Sequence, residues 1–239
     1  MVSASARRRN KPVKGFLDSL LDPIDWLSET IFSILIFLLY ILAFGIIILS
    51  RAPQSAISPA EVNDLLIGAL GAVLAWGMID GIMYALFSVF ERSERHRLLE
   101  NIQAAPTNEE ALEIIAEDMD YLLEPITGDD ERKALYGSIL THLQGSTPQK
   151  IGVKREDITS ALAHVLVAFL AVIPSVIPFF LFRYDYDLAI RISILVSFIV
   201  LFIAGFLWGR YAGTSPWKTG LLITSIGMIL VLIAFLLEG

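Results

Sequence analysis

The chain has 239 residues, a formal net charge of −7 and 55% hydrophobic residues, with a mean hydropathy of +0.66. This apolar share exceeds that of a typical soluble domain, so the composition indicates a membrane protein, and the acidic balance argues against a nucleic-acid partner. Because cysteine is absent, a bound metal must use carboxylate, thioether, imidazole or carbonyl ligands, which favours Mn²⁺ or Fe²⁺ over structural zinc.

The first 30 residues combine a basic tail with an amphipathic stretch. Five basic residues lie between Arg7 and Lys14, and the apolar residues of Phe16–Thr30 recur near the helical period. This pattern predicts an interfacial helix over 16–30. No apolar core with a small-residue cleavage site follows the basic cluster, so we expect the first membrane span to be uncleaved.

Five later stretches are each long and apolar enough to cross a bilayer, which takes about 20 residues. The predicted fold is an all-α membrane protein with five transmembrane helices and a cytosolic three-helix insertion between spans two and three. The predicted domains are the tail (1–30), spans one and two (31–90), the insertion (91–157) and spans three to five (158–239). The five spans are Ile31–Ser50, Leu65–Phe90, Ile158–Phe182, Leu188–Trp208 and Trp217–Leu237.

Asp80 is the only charged residue in the second span. A carboxylate at membrane depth is energetically costly, so such a residue usually serves an ion, a polar path or a partner. Helical spacing places Met83 and Tyr84 on the same face, where the three side chains offer hard and softer ligands to a transition-metal ion. We predict that this face lines an ion path, with Asp80 and Met83 as metal ligands. The alternative is a protonated Asp80 that holds helices together through a hydrogen bond.

The polar insertion is predicted to contain three helices. The first continues from span two through Glu94–Ala104, the second is Asn108–Leu123 and the third is Asp130–Leu143. A capping-box pattern at Thr107 opens the second helix. An insertion of this length buries little apolar surface by itself. We therefore expect its helices to pack on one another and on a second copy of the chain.

Three acids repeat every four residues along the second insertion helix. Glu109, Glu113 and Glu117 share one face, with Met119 nearby. Such a row could present carboxylates and a thioether to cations. A solvated helix face would have the same pattern, so the row is compatible with either interpretation.

Spans three and four contain further packing or path signals. Pro174 and Pro178 remove two helix hydrogen bonds, and the freed carbonyls must be satisfied by protein, water or an ion. We predict that both prolines line the ion path, the alternative being a kink for packing. His164 could relay protons or pack as a satisfied side chain. Gly205 and Gly209 favour close helix approach, within the chain or between copies.

The distribution of basic residues predicts the orientation. Fifteen Lys and Arg residues lie in the tail, the insertion and the connection between spans four and five, against three on the other side. By the positive-inside rule, the N-terminus and the insertion are cytosolic and the C-terminus is outside. In a prokaryote the expected location is the plasma (inner) membrane.

The C-terminal half resembles the vacuolar iron transporter family. With the five spans and the acidic helical insertion, the resemblance covers roughly residues 65–239. The residues that carry it are Ile173-Pro174, Ile177-Pro178-Phe179-Phe180, Leu201–Phe206, Gly209-Arg210, Gly213, Pro216–Gly220 and Gly227.

The resemblance implies export of Fe²⁺ or Mn²⁺ from the cytosol in exchange for protons, by a homodimer with its ion path at the subunit interface near spans one and two. The second-span acid and methionine of the family match Asp80 and Met83. Family members carry an aspartate followed by glycine in the first span, whereas Ile31–Ser50 contains no acid, so a second membrane carboxylate would come from the partner subunit. The insertion would collect metal through residues among Glu94, Glu109, Glu110, Glu113, Glu117 and Met119.

Two functional hypotheses follow. The first is a homodimeric transporter in the lipid bilayer, not an enzyme, that exports a divalent metal ion as its cargo and needs no other cofactor. The second is a non-transporting membrane scaffold whose cytosolic helices bind a protein partner. Glycine-rich phosphate loops and His-Glu-x-x-His motifs are absent from the sequence.

Overall fold

The computed structural model describes residues 21–51, 57–147 and 151–238, and the regular secondary structure in these ranges is entirely α-helical. Five of the helices are long and apolar enough to cross a membrane. The predicted all-α class with five candidate spans is therefore confirmed. The helices of the described ranges are α1 (Pro23–Arg51), α2 (Pro59–Ala104), α3 (Asn108–Leu123), α4 (Asp129–Gln144), α5 (Arg155–Leu181), α6 (Tyr186–Tyr211) and α7 (Pro216–Glu238).

Three of the membrane helices begin at a proline: Pro23 in α1, Pro59 in α2 and Pro216 in α7. The first residue of a helix has no intrahelical acceptor for its N–H, so proline loses no hydrogen bond there and presets φ for the helix. In α2 the start is fixed further by a capping box. The Glu61 carboxylate accepts the Ser58 N–H at 2.8 Å, and the Ser58 hydroxyl oxygen accepts the Glu61 N–H at 3.3 Å.

The first membrane helix begins earlier than predicted. We expected a separate interfacial helix ending at Thr30, but α1 continues through this residue without a break, and the candidate span covers Pro23–Gly45. Residues 16–20 of the predicted interfacial helix lie outside the described residues. The span contains Asp25 and Glu29. The candidate span is therefore longer at its start than the predicted Ile31–Ser50, and the two acids lie in the added part.

The chain divides into two compact units, which are described separately. The span unit comprises the residues up to Ile82 and those from Thr159 onward, and the insertion unit comprises Met83–Ile158.

The core of the span unit joins apolar side chains from α1, α2, α5 and α6, and α1 and α6 also pack against α7. The glycines of α6 face α7. A Cβ at Gly205 would lie 3.0 Å from the Cα of Gly220, and one at Gly209 would lie 2.8 Å from the Cα of Pro216. These glycines therefore allow close helix packing within the chain.

The insertion unit contains the end of α2 together with α3 and α4. Helices α3 and α4 pack on each other, and the hydroxyl of Thr107 accepts the Glu110 N–H at 3.2 Å at the start of α3. The phenol of Tyr136 donates to the Asp120 carboxylate at 2.6 Å, and this hydrogen bond raises the pKa of Tyr136. The small core contains Ile102, Ala111, Ile115, Tyr136 and Leu140.

Candidate ion site in the membrane helices

Two glycines on α2 bring Asp80 next to α5. A Cβ at Gly77 would lie 2.8 Å from the Cβ of Ala168, and one at Gly81 would overlap the backbone carbonyl oxygen of Ala161. Only glycine allows the two helix backbones to approach this closely. Asp80 lies between these glycines in the chain, so its carboxylate is held against α5.

His164 is the residue of α5 that faces this carboxylate. Its side chain is 3% exposed, and its Nε2 lies 3.6 Å from Asp80 Oδ2. Its Nδ1 lies 2.8 Å from the carbonyl oxygen of Ser160, one helical turn earlier. Because a carbonyl oxygen can only accept, Nδ1 carries a hydrogen, and Nε2 is the atom directed at Asp80. A separation of 3.6 Å is too long for a hydrogen bond.

Glu29 adds a second carboxyl group from α1. It is fully buried, its Oε1 accepts from the hydroxyl of Ser33 at 3.1 Å, and its carboxyl group interacts with that of Asp80. Its Oε2 is also buried and receives no N–H or O–H donor from the described residues, so it can pair with the Asp80 carboxyl group only when one of the two is protonated. Asp25 lies one helical turn earlier, and its carboxyl group interacts electrostatically with the Asp80 carboxyl group and the His164 imidazole.

Apolar contacts fix α1 at this position. Leu21, just before α1, is buried with Ala163 and Val167 of α5, and Trp26 packs against them. The ring of Phe32 also packs against that of Trp76 of α2, with centroids 5.6 Å apart and the planes tilted by 50°. These contacts place the acids of α1 beside His164 and Asp80.

The arrangement can hold a proton or a cation. Two carboxylates that share a site repel each other unless a proton or a positive ion lies between them. A neighbouring imidazole can serve either purpose, as a proton carrier or as a metal ligand. The described residues contain no group of three or more His, Asp or Glu side chains arranged to hold a metal ion.

The other predicted path residues lie on α5 and in the insertion unit. Pro174 and Pro178 lie inside a continuous α5, and Pro174 is ten residues beyond His164, which corresponds to about 15 Å along the helix. Met83 is 41% exposed and Tyr84 is partly buried, and both belong to the insertion unit.

Hydroxyl groups of α6 form hydrogen bonds with the proline-containing segment of α5. The Ser193 hydroxyl donates to the carbonyl oxygen of Ser175 at 2.5 Å, and the Ser197 hydroxyl reaches the Ser175 hydroxyl at 2.8 Å. All three serines are fully buried. Protein groups therefore satisfy the buried hydroxyl and carbonyl groups of Ser175, whereas the carbonyls that the two prolines leave without an N–H donor are those of Leu170 and Pro174.

The predicted ligands of the insertion unit are mostly exposed to solvent. Glu94 lines an open cavity of about 380 Å³ together with Glu91, Arg95, Leu98 and Asp118. Met119 is partly buried and packs against the apolar core of the unit. The exposed candidates on α3 are Glu109, Glu110, Glu113 and Glu117.

Sequence reasoning missed Glu29 and did not connect His164 with Asp80. Two features of the sequence point to these residues. Glu29 lies between Leu27 and Ile31, and a serine follows four residues later, at hydrogen-bonding distance on a helix. His164 lies early in its span, as Glu29 does in the first, but only the helix packing brings them together.

Comparison with known families extends this description. The model of the VIT family matches residues 89–238, which is more than half of the chain. No curated protein matches the chain. The matched range includes His164, whereas Glu29 and Asp80 precede it. The chain is therefore a multi-pass integral membrane protein that belongs to the VIT family, and this membership implies membrane transport of metal ions.

Proposed function

We propose that this protein exports a divalent transition-metal ion, Fe²⁺ or Mn²⁺, from the cytosol in exchange for protons. The observation that carries the proposal is the cluster of Glu29, Asp80 and His164 inside helices long enough to span a membrane. Ionisable groups in such helices are unfavourable by several kcal/mol unless they serve a path, an ion or a proton relay. Membership of the VIT family supports a metal ion as the cargo.

The paired carboxyl groups of Glu29 and Asp80 would couple metal movement to proton movement. Glu29 and Asp80 interact, so with no metal bound they are stabilised by a proton between them. A divalent cation that binds to the same oxygens replaces this proton, because metal ligands must be deprotonated. Metal entry from one side would therefore release protons, and the return of protons would release the metal.

A homodimer would complete the path. In the single protomer the Asp80 side chain is 41% exposed, although it lies in a membrane span. Lipid cannot solvate a carboxylate, so a second copy or water must cover this side. The same helix exposes large apolar residues that a second copy could bury, among them Met78, Ile79 and Ile82.

The insertion unit would supply ions from the cytosol. The positive-inside rule favours a cytosolic N-terminus and insertion, with the C-terminus outside and the plasma membrane as the location in a prokaryote. The acidic cavity lined by Glu91, Glu94 and Asp118 and the exposed acids of α3 would attract cations there.

Flux measurements in proteoliposomes test the proposal. We expect the wild-type protein to move Mn²⁺ and Fe²⁺, followed with a metal-sensitive dye, while a pH-sensitive dye reports protons moving in the opposite direction. Asp80→Asn keeps the side-chain shape and should reduce metal flux to background. Asp64→Asn is the matched control, since Asp64 is an exposed acid on the same helix, and it should transport normally.

Three results would contradict this proposal. Wild-type protein without metal flux excludes transport of these ions. Normal flux in Asp80→Asn removes the Asp80 carboxylate from the path. Metal flux without proton movement excludes the exchange.

One observation favours the scaffold hypothesis as a second candidate. Tyr121 and Ile126 in the insertion unit are 74% and 75% exposed, and Leu122 is also exposed. Exposed apolar side chains of this size can mark a protein-binding surface. Calorimetric titration of the purified protein with Mn²⁺ separates the two functions, because a scaffold would bind no metal.

A further inference from the structure

We propose that residues 151–155, which we call the anchor loop, attach the insertion unit to the membrane surface. Ile151 and Val153 insert among the lipid chains, and the basic side chains of Lys154 and Arg155 bind anionic phospholipid headgroups. The inference concerns a surface outside the ion site, and it does not depend on the proposed transport function. It is carried by the contacts that fix the loop, the exposure of its apolar side chains and its depth along two membrane helices.

A largely buried ion pair fixes the backbone of the anchor loop. The Arg92 guanidinium of α2 donates to both carboxylate oxygens of Asp157 in the first turn of α5, and the two side chains are 19% and 6% exposed. Arg92 Nη2 also donates to the carbonyl oxygen of Gly152 at 3.1 Å. The backbone N–H of Lys154 donates to Asp157 Oδ2 at 2.6 Å. Because a bidentate arginine–carboxylate pair has a defined geometry, it holds the loop in one conformation.

The fixed backbone of the loop leaves apolar side chains exposed. Ile151 is 45% exposed and Val153 is 64% exposed. Gly152 lies between them with a φ of +152°, a backbone conformation that favours glycine. Ile158, one residue after Asp157, is also exposed. Aliphatic side chains held outward in this way gain free energy when an apolar surface covers them.

The position of the anchor loop along the chain identifies the bilayer as that surface. Arg92 lies two residues after Phe90, which ends the apolar run of α2. Asp157 lies one residue before Ile158, which begins the apolar run of α5. Both helices are candidate membrane spans. The ion pair therefore lies where the apolar segment of each helix meets the polar one, and the loop that it holds is at the depth of the lipid headgroups.

Two basic side chains give the loop its preference for anionic lipids. Lys154 and Arg155 follow Val153 directly, and both are exposed. Basic residues at a membrane surface attract anionic headgroups, and the positive-inside rule predicts that the adjoining leaflet is the cytosolic one, where such lipids are concentrated. The competing interpretation is that the two charges only direct the topology of the chain and bind no particular lipid.

Fluorescence quenching of the full-length protein in lipid nanodiscs tests the insertion of the loop. The chain has no cysteine, so Val153→Cys carries a single environment-sensitive fluorophore. We expect lipids with a nitroxide near the headgroup to quench this fluorophore strongly, and aqueous acrylamide to quench it weakly. Glu109→Cys is the control, because Glu109 is exposed at the start of α3 and follows the end of α2 at Ala104, about 21 Å along the helix from Phe90. Its fluorophore should show the reverse.

The same fluorophore at residue 153 tests the recognition of anionic headgroups. Lipid quenching should be at least about twofold stronger in discs that contain phosphatidylglycerol than in discs of phosphatidylcholine alone. Lys154→Gln/Arg155→Gln should abolish this difference, while the backbone N–H that bonds Asp157 remains. Arg97→Gln/Lys133→Gln is the matched control, since it removes one exposed arginine and one exposed lysine elsewhere in the insertion unit, and it should keep the difference.

Two results would overturn this inference. Acrylamide quenching as strong at residue 153 as at residue 109 would place the anchor loop in water. Lipid quenching that is equal in the two kinds of disc, or that still prefers the anionic lipid in Lys154→Gln/Arg155→Gln, would leave the two charges as topology signals only. No step of the experiment depends on metal transport, so the proposed function stands or fails separately.

Discussion

The two units of this protein both carry many acids, but the surroundings of these acids differ. In the span unit, Glu29 is fully buried and its carboxyl group contacts Ser33 and interacts with Asp80. In the insertion unit, Glu109, Glu113 and Glu117 are exposed on α3. Water solvates an exposed carboxylate and weakens its attraction for ions, whereas a buried one interacts strongly with any charge nearby.

This difference shows that the number of acids does not identify an ion site. The insertion unit has far more carboxylates than the span unit has buried ones. Among the described acids, only Glu29 and Asp80 combine burial, a second carboxyl group and a neighbouring imidazole. We therefore expect substitutions in the span unit to change transport strongly and those on α3 to change it weakly. The following experiments test this comparison, beginning with the largest expected effect.

Closing the space between α2 and α5 should have the largest effect. In Gly81→Ala the new methyl group overlaps the backbone carbonyl of Ala161, which cannot move unless the helices separate. We expect a loss of stability of about 1–3 kcal/mol and a flux below about a tenth of wild type. Thermal melting in detergent and proteoliposome flux measure both.

The control for this experiment is Gly71→Ala on the same helix. A Cβ at Gly71 meets no described atom within 4 Å, so this variant should melt at the same or a higher temperature, since alanine favours helix by up to about 1 kcal/mol. If both variants melt and transport alike, the close approach of α2 to α5 does not hold the site together.

Replacing the carboxyl group of Glu29 by an amide should reduce metal transport without lowering the stability of the fold. Glu29→Gln retains an oxygen for the Ser33 hydroxyl and gains an amide that can donate to Asp80, so we expect the melting temperature to be unchanged or higher. Metal flux should fall at least about tenfold, because a carboxylate ligand is lost. A variant that melts early while its flux stays normal would instead make Glu29 a structural residue.

The sequence was sufficient for the helices but not for the site. Hydropathy located five spans, and the pattern at Thr107 located the start of α3, because both signals depend on neighbouring residues. The site depends on contacts between α1, α2 and α5, which no local pattern encodes. The amphipathic period of residues 16–30 predicted a separate interfacial helix, whereas Glu29 lies within the first candidate span. The role of His164 is suggested only by its distance to Asp80, which the sequence does not reveal.

Replacing the exposed acids of α3 should have the smallest effect on metal flux. In the triple variant Glu109→Gln/Glu113→Gln/Glu117→Gln, exposed charges are lost, and each exposed interaction contributes at most about 1 kcal/mol. Flux at low Mn²⁺ should fall about two- to fivefold at low ionic strength, and the difference should shrink in salt, which screens charges beyond about 10 Å at 0.1 M. Asp130→Asn, an exposed acid on α4, is the control. A loss as complete as in Asp80→Asn would show that α3 binds the ion directly, and burial would no longer explain which acids matter.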